Sequence, residues 1–164
     1  MKIIGIVGLK NSGKTTIIKN LIKYFHSKKL VIGTIKHAHH NFEIDKEGTD
    51  SFIHRKSGAE EVIVSSAKRW AKIEERVNKK ERSLKYLIKK IERSDILLIE
   101  GFKNESHKKI EIYRKMDNKY KPIYKKIKNV VAIVTNEKIK TKLPIFKLEE
   151  IEKIAKFIIN NCKR

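Results

Sequence analysis

Eight residues near the amino terminus, Gly8-Leu9-Lys10-Asn11-Ser12-Gly13-Lys14-Thr15, satisfy the pattern G-x-x-x-x-G-K-[ST] at every fixed position. The residue types suit one kind of chemistry. Glycines let the backbone fold tightly enough for successive N–H groups to converge on phosphate oxygens, and a helix opening at the loop adds its positive end. Lys14 then reaches the β- and γ-phosphates, the Thr15 hydroxyl becomes a Mg²⁺ ligand, and Thr16 is placed for the α-phosphate. The candidate contacts to a nucleoside triphosphate are Gly8, Lys10, Asn11, Ser12, Gly13, Lys14, Thr15 and Thr16. Lys14 is expected in a solvated loop, contributing charge to a ligand and no packing to the core. The same pattern arises by chance in glycine-containing turns, so the flanking elements decide its meaning.

Such a site needs a second acid at the end of a neighbouring strand, where it can reach Mg²⁺ directly or through water. Glu100 ends the run Asp95-Ile96-Leu97-Leu98-Ile99-Glu100 and precedes Gly101, which fits that position. The alternative is a carboxylate that only caps or pairs a strand end. Lys14 and Glu100 are the candidate catalytic residues, and Thr15, Glu100 and Asp45 the candidate Mg²⁺ ligands.

His37, His39 and His40 form an H-x-H-H cluster, followed by Glu43, Asp45 and Asp50. Close-set imidazoles raise a transition-metal reading, yet no cysteine supports it and the spacing is not that of a zinc site. A loop meeting the phosphates or a second anionic ligand is the preferred reading, with ordinary surface histidines as the third. The loop from His37 to Asp50 and the basic stretch after Gly101 are expected to share one anion-binding surface built from Lys36, His37, His39, His40, Lys103 and Lys109.

The elements that must position these groups read as an alternating plan. Ile3 to Val7 is a short β-branched run that enters the glycine loop, and Ile17, Ile18, Leu21, Ile22 and Phe25 recur at helical spacing beyond it. Strand, loop and helix therefore stand in series. A second strand is expected at Val31 to Ile35 and a short helix from Asp50 to Gly58. The runs EEVIVSS and RWAKIEE, separated by Ala67 and Lys68, suggest a hairpin. Leu84, Leu87, Ile88 and Ile91 mark another helix, DILLIE a strand, KKIEIYRK a further strand and residues 130 to 134 a last one. Ile151, Ile154, Ala155, Ile158 and Ile159 make a closing amphipathic helix. The fold class expected is α/β: a mostly parallel sheet with helices on both faces, as in P-loop NTPases, plus an inserted β-hairpin, in a single domain over residues 1–164. The strands at Val31 to Ile35 and Ile96 to Ile99 are both expected to be central.

Composition bounds the partners. With 40 Lys and Arg against 19 Asp and Glu, the 164-residue chain carries a formal charge of +21. Nucleic acid comes first to mind for such an excess. The positive charge is spread along the chain, and 33 of the 40 basic residues are Lys, while base and phosphate forks favour Arg. A solvated lysine coat is the preferred reading and nucleic acid is not expected. One cluster stands out, from Lys103 to Lys128, with Phe102, Tyr113, Tyr120 and Tyr124 interleaved. Two Pro and seven Gly exclude a collagen-like or elastic chain, and one cysteine, Cys162, excludes an internal disulfide framework. With no signal-like leader and no long apolar stretch, a soluble cytoplasmic protein without a membrane is expected.

The residues resemble a known family, the molybdopterin-guanine dinucleotide biosynthesis adaptor proteins (MobB) of the P-loop GTPase class. GLKNSGKTT, TIKHAHHNFEIDKEGTDS, HRKSGA, KRWA, DILLIEGFK, KIEIYR and VVAIVT carry the likeness in order along nearly the whole chain. It departs at Thr49, where the family usually has Lys. The resemblance implies a GTP-binding homodimer with weak hydrolysis and Mg²⁺ as cofactor. It also implies assistance to the guanylyltransferase that joins GMP to molybdopterin, by delivering GTP or by holding the pterin. The N-K-x-D base-reading motif of that class is absent, and Asn136, in Thr135-Asn136-Glu137-Lys138, is a positional substitute or simply a turn residue. A small P-loop metabolite kinase, a nucleotide-driven metal chaperone and a basic nucleic-acid module are the rival readings.

Overall fold

A computed structural model describes residues 1–38, 42–75, 81–115 and 121–162. The chain forms two compact units, Met1–His37 with Ser83–Arg164, and Ala38–Arg82.

The first unit is built on six strands: β1 (Lys2–Val7), β2 (Ile32–Lys36), β5 (Ile96–Glu100), β6 (Lys109–Ile112), β7 (Val130–Val134) and β8 (Ile145–Phe146). Their order is β2-β5-β1-β6-β7-β8, and every pairing is parallel. Three helices accompany them: α1 (Lys14–Ser27), α3 (Leu84–Lys89) and α4 (Ile151–Asn161). The expected α/β class and helices on both faces are found.

Side chains alternate across a strand, so each strand serves two cores. Ile4 and Ile6 of β1, Ile96 and Leu98 of β5, and Ile110 and Ile112 of β6 meet Ile17, Leu21 and Phe25 of α1 and Ile154, Ala155 and Ile158 of α4. Each fully buried Ile or Leu contributes roughly 1.5–3 kcal/mol on transfer from water, so this face supplies most of the apolar stabilisation. Leu97 and Ile99 point the other way, onto Leu84, Leu87 and Ile88 of α3 with Ile3 and Phe102.

Two expectations are corrected here. β5 is interior, beside β1, but β2 is an edge strand. Only Ile35 of β2 is buried, while Thr34 and Lys36 are exposed, the pattern of a strand with a neighbour on one side only. The two-residue β8 went unforeseen, because two residues carry no period.

Beyond α3 the second face is covered by chain without regular structure. Residues 101–108 run from β5 to β6 with no helix, and the His107 ring lies against β1: a Cβ on Gly5 would come within 2.4 Å of His107 Nε2. Covering a sheet with loop backbone buries polar groups that must be bonded. Two fully buried charges of β6 do this. The Lys109 ammonium donates to the carbonyls of Glu105, of His107 (2.9 Å) and of Lys128 (3.1 Å). The Glu111 carboxylate accepts the N–H groups of Ile123 and Tyr124, both at 2.7 Å.

The second unit holds α2 (Asp50–Lys56) and the antiparallel pair β3 (Glu61–Ser65) and β4 (Trp70–Glu74), the expected hairpin, with Ser65 opposite Trp70. The Arg55 side chain, 8% exposed, is its hub: it meets Glu43 at 2.8 Å, Asp45 at 3.2 Å and also Glu75.

Among the described residues no helix is long and apolar enough to cross a membrane.

Candidate functional site

The eight-residue motif links the carboxyl end of β1 to the first residues of α1. Its path needs backbone shapes that side chains resist. At Gly8 φ is 154°, and a Cβ there would meet the Ile112 carbonyl of neighbouring β6 at 2.4 Å. Asn11 and Gly13 follow in left-handed conformations, φ 61° and 97°. The loop thereby turns tightly, and the Ser12 N–H closes onto the Leu9 carbonyl at 3.3 Å.

Three observations test whether the loop fits a phosphate group. Gly13 stands at the N-cap of α1 with no side chain capping the helix, and no acidic residue lies in the first turn, so the leading N–H groups and positive helix end are uncompensated. A Cβ on Gly13 would meet nothing within 4 Å. Among the described residues the Ser12 hydroxyl, in a residue only 2% exposed, has no hydrogen-bond partner, which is costly unless a polar ligand meets it. Thr15 and Thr16 are exposed at the start of the helix. The residues present fit an anionic phosphate ligand.

Lys14 is less solvated than expected. It is half-buried, and its ammonium folds back to donate to the Leu9 carbonyl at 2.7 Å. Burial pulls its pKa down, the Glu100 carboxylate opposes that shift, and the ammonium groups of Lys103 and Lys36 add to it. Three lysines and one carboxylate thus share one field beside the loop.

Glu100 is held there by strand pairing. It lies opposite Ile6 of β1 and Lys36 of β2, and its backbone carbonyl accepts the His37 N–H at 2.9 Å. Gly101 then adopts φ 91° under the His37 side chain, where a Cβ would approach His37 Cβ to 2.9 Å. Phe102, also left-handed at φ 49°, stacks its ring on His37 with centroids 4.6 Å apart. The histidine expected to meet a ligand is thus packed on the element that carries Glu100. This stack escaped the sequence, although a Gly-Phe pair straight after a strand-end Glu was its signal.

The other expected site residues are distributed differently. Lys36, His37 and Lys103 lie in the first unit with the loop. Lys109 was expected on the anion-binding surface, but its ammonium is spent on three backbone carbonyls and the residue is fully buried. Asn136 braces the chain after β7: its Oδ1 accepts the Leu148 N–H at 3.0 Å and its amide donates to Glu149 at 3.3 Å. Asp45 belongs to the second unit, where Ser51 donates to it at 2.7 Å and Arg55 pairs with it. Those bonds, the Ser51 one foremost, hold its carboxyl below its ordinary value. His39 and His40 lie outside the described residues. Among those described, no group of three or more His, Cys, Asp or Glu is placed to hold a metal ion.

Residues 3–136 match the family model described as MobB, molybdopterin guanine dinucleotide synthesis protein B. A molybdopterin-guanine dinucleotide biosynthesis adapter protein of Haemophilus influenzae is 36% identical over 158 residues, spanning 96% of this chain and 88% of the relative. The Escherichia coli adapter protein is 42% identical over 76 residues, 46% of this chain and 43% of its own length. The crystal structure of MobB from Bacillus subtilis superposes with a TM-score of 0.76 at 27% identity, covering 99% of both chains. With a model spanning most of its length and a relative matched almost end to end, this chain belongs to the MobB family of molybdopterin-guanine dinucleotide biosynthesis adapter proteins.

Proposed function

We propose that this adapter acts as a GTP-loaded, Mg²⁺-dependent homodimer in the cytoplasm, assisting the guanylyltransferase that makes molybdopterin guanine dinucleotide. The observation that carries the nucleotide part is the unpartnered Ser12 hydroxyl inside a glycine loop that opens an uncapped helix. In this reading the amides of Gly13, Lys14 and Thr15 bind phosphate oxygens. The Lys14 ammonium leaves the Leu9 carbonyl for the β- and γ-phosphates, and Thr15 and Glu100 hold the cation. Bound Mg²⁺ would neutralise phosphate charge and orient the terminal phosphates. Weak hydrolysis, which the family resemblance implies, fits a nucleotide that is held or delivered more than consumed. Lys36, His37 and Lys103 supply the adjacent surface for the phosphate of a pterin or for the partner enzyme.

Calorimetric titration with GTP, ATP and CTP, with Mg²⁺ and with EDTA, tests this reading. Tight binding of GTP alone supports it. Equal binding of all three nucleotides removes the guanine assignment, and binding of none removes the site.

A further inference from the structure

A second concavity lies in the first unit, at the opposite end of the sheet from the phosphate loop. The loop follows the carboxyl end of β1, whereas this cleft is formed where the chain enters β7 and β8, and all these strands run parallel. It is a shallow, open hollow of about 530 Å³. The half-buried side chains of Ile127, Val130 and Leu143 give it an apolar lining, and Lys125, Lys140 and Lys142 add positive charge. The two walls are tied by the Tyr124 hydroxyl, which donates to the Lys140 carbonyl at 3.3 Å.

A few lysines of the chain sit against a carboxylate. Lys72, Lys153 and Lys156 each pair with a glutamate within 2.7 Å. Among the described residues the cleft has no acidic side chain in its lining, and Lys125, Lys140 and Lys142 have no carboxylate within the 4.0 Å of an ion pair. Like charges held around one apolar hollow repel one another, and an opposite charge that brings an apolar group relieves both costs.

We propose that this cleft docks an acidic peptide segment of a partner protein, with one apolar side chain on Ile127, Val130 and Leu143 and flanking carboxylates on the three ammonium groups. A nucleic acid fits less well. Single strands are held by stacking on free aromatic faces and by arginine forks. No arginine lines the cleft, and the Tyr124 ring already has the Lys125 ammonium 6.0 Å from its centre. The inference stands apart from nucleotide binding and survives if that reading fails.

The test is fluorescence anisotropy of the full chain with a labelled oligoglutamate peptide carrying one central Leu. The same peptide without Leu and a labelled single-stranded RNA of mixed sequence serve as comparisons. The Leu peptide should bind more tightly than either and weaken as salt is raised. The double variant Lys140→Glu with Lys142→Glu should weaken it about tenfold or more. A control of equal charge, Lys19→Glu with Lys23→Glu on the exposed side of α1, should change it less than about threefold. Thermal unfolding checks that the variants fold, and Lys140→Gln with Lys142→Gln replaces the reversal if it does not. Equal loss in cleft and control variants, unchanged affinity in the cleft variant, tighter RNA binding with the same lysine dependence, or no peptide binding would each overturn the proposal.

Discussion

The Lys36 ammonium stands 3.8 Å from the Glu100 carboxylate, across the last register position that joins β2 to β5. The two partners are unequal, with side-chain exposures of 66% for Lys36 and 17% for Glu100. A pair so open on one side contributes only about 0–1 kcal/mol, so a divalent cation can displace the lysine at small cost.

Glu100→Gln should therefore lower GTP affinity about tenfold in Mg²⁺ while leaving affinity in EDTA within about twofold, since a hard cation prefers the charged oxygen. Lys36→Met should act in the opposite sense, tightening Mg²⁺-dependent binding by up to about fivefold. Titration calorimetry in both buffers checks the pair. Equal losses in Glu100→Gln would leave that carboxylate a purely structural role.

Lys14→Ala should remove about 2–4 kcal/mol of triphosphate binding, the cost of truncating one member of a desolvated charge pair. Among the described residues, the bond it gives up is the one to the Leu9 carbonyl, so the melting temperature should change little. Unaltered GTP affinity in a normally folded variant would contradict the phosphate-loop assignment.

His107 gives the fold a dependence on pH. Burial, with the Lys109 ammonium adding to it, lowers its imidazole from 6.5 to about 4. Between those values the unfolded chain takes up a proton that the folded chain refuses. Stability from this group is complete above pH 6.5, falls as pH drops and levels off below pH 4. Allowing for partial exposure, the loss should be about 1–2 kcal/mol. Urea melts at pH 7 and pH 4.5 should show a smaller difference for His107→Phe than for the parent chain.

Asp45 acts in the same direction at lower pH. Its folded value lies below the ordinary 3.8, chiefly through the Ser51 hydrogen bond, then through Arg55. Its contribution is present above pH 3.8 and is lost as pH falls through the lowered value. Once its intrinsic pH dependence is divided out, amide exchange at Val62 to Val64 should quicken in that acid range. Arg55→Met should quicken it already at pH 7, because three carboxylates lose their common partner. Unchanged exchange in Arg55→Met would show that the hairpin does not depend on this hub.

The glycine loop between β1 and α1, the strand that ends at Glu100 and the hairpin were legible because each combines a local pattern with a local consequence. Strand order was not. The apolar look of residues 31 to 35 says that they extend, and nothing in it distinguishes an edge from the middle. Lys109 misled for a related reason. An alternating K-I-E-I reads as one wet face and one dry face, but the wet face is roofed by loops whose carbonyls and amides need those charges. Polar residues in a strand declare that something polar meets them, water or backbone, without saying which. Asn136 and Asp45 carried the same ambiguity: side chains suited to ligands are equally suited to bracing a turn or an arginine.

The two buried charges of β6 also bear on how the chain closes. The Lys109 ammonium is satisfied only when residues 105–107 and 128 are both in place, and Glu111 only when 123 and 124 arrive. A partly folded state with one of these segments lifted would strand a charge in a nearly dry interior, a penalty of several kcal/mol. Such states are thereby depopulated. The two irregular crossings should open only together with the sheet beneath them, so their bonded amides should exchange as slowly as those of the central strands.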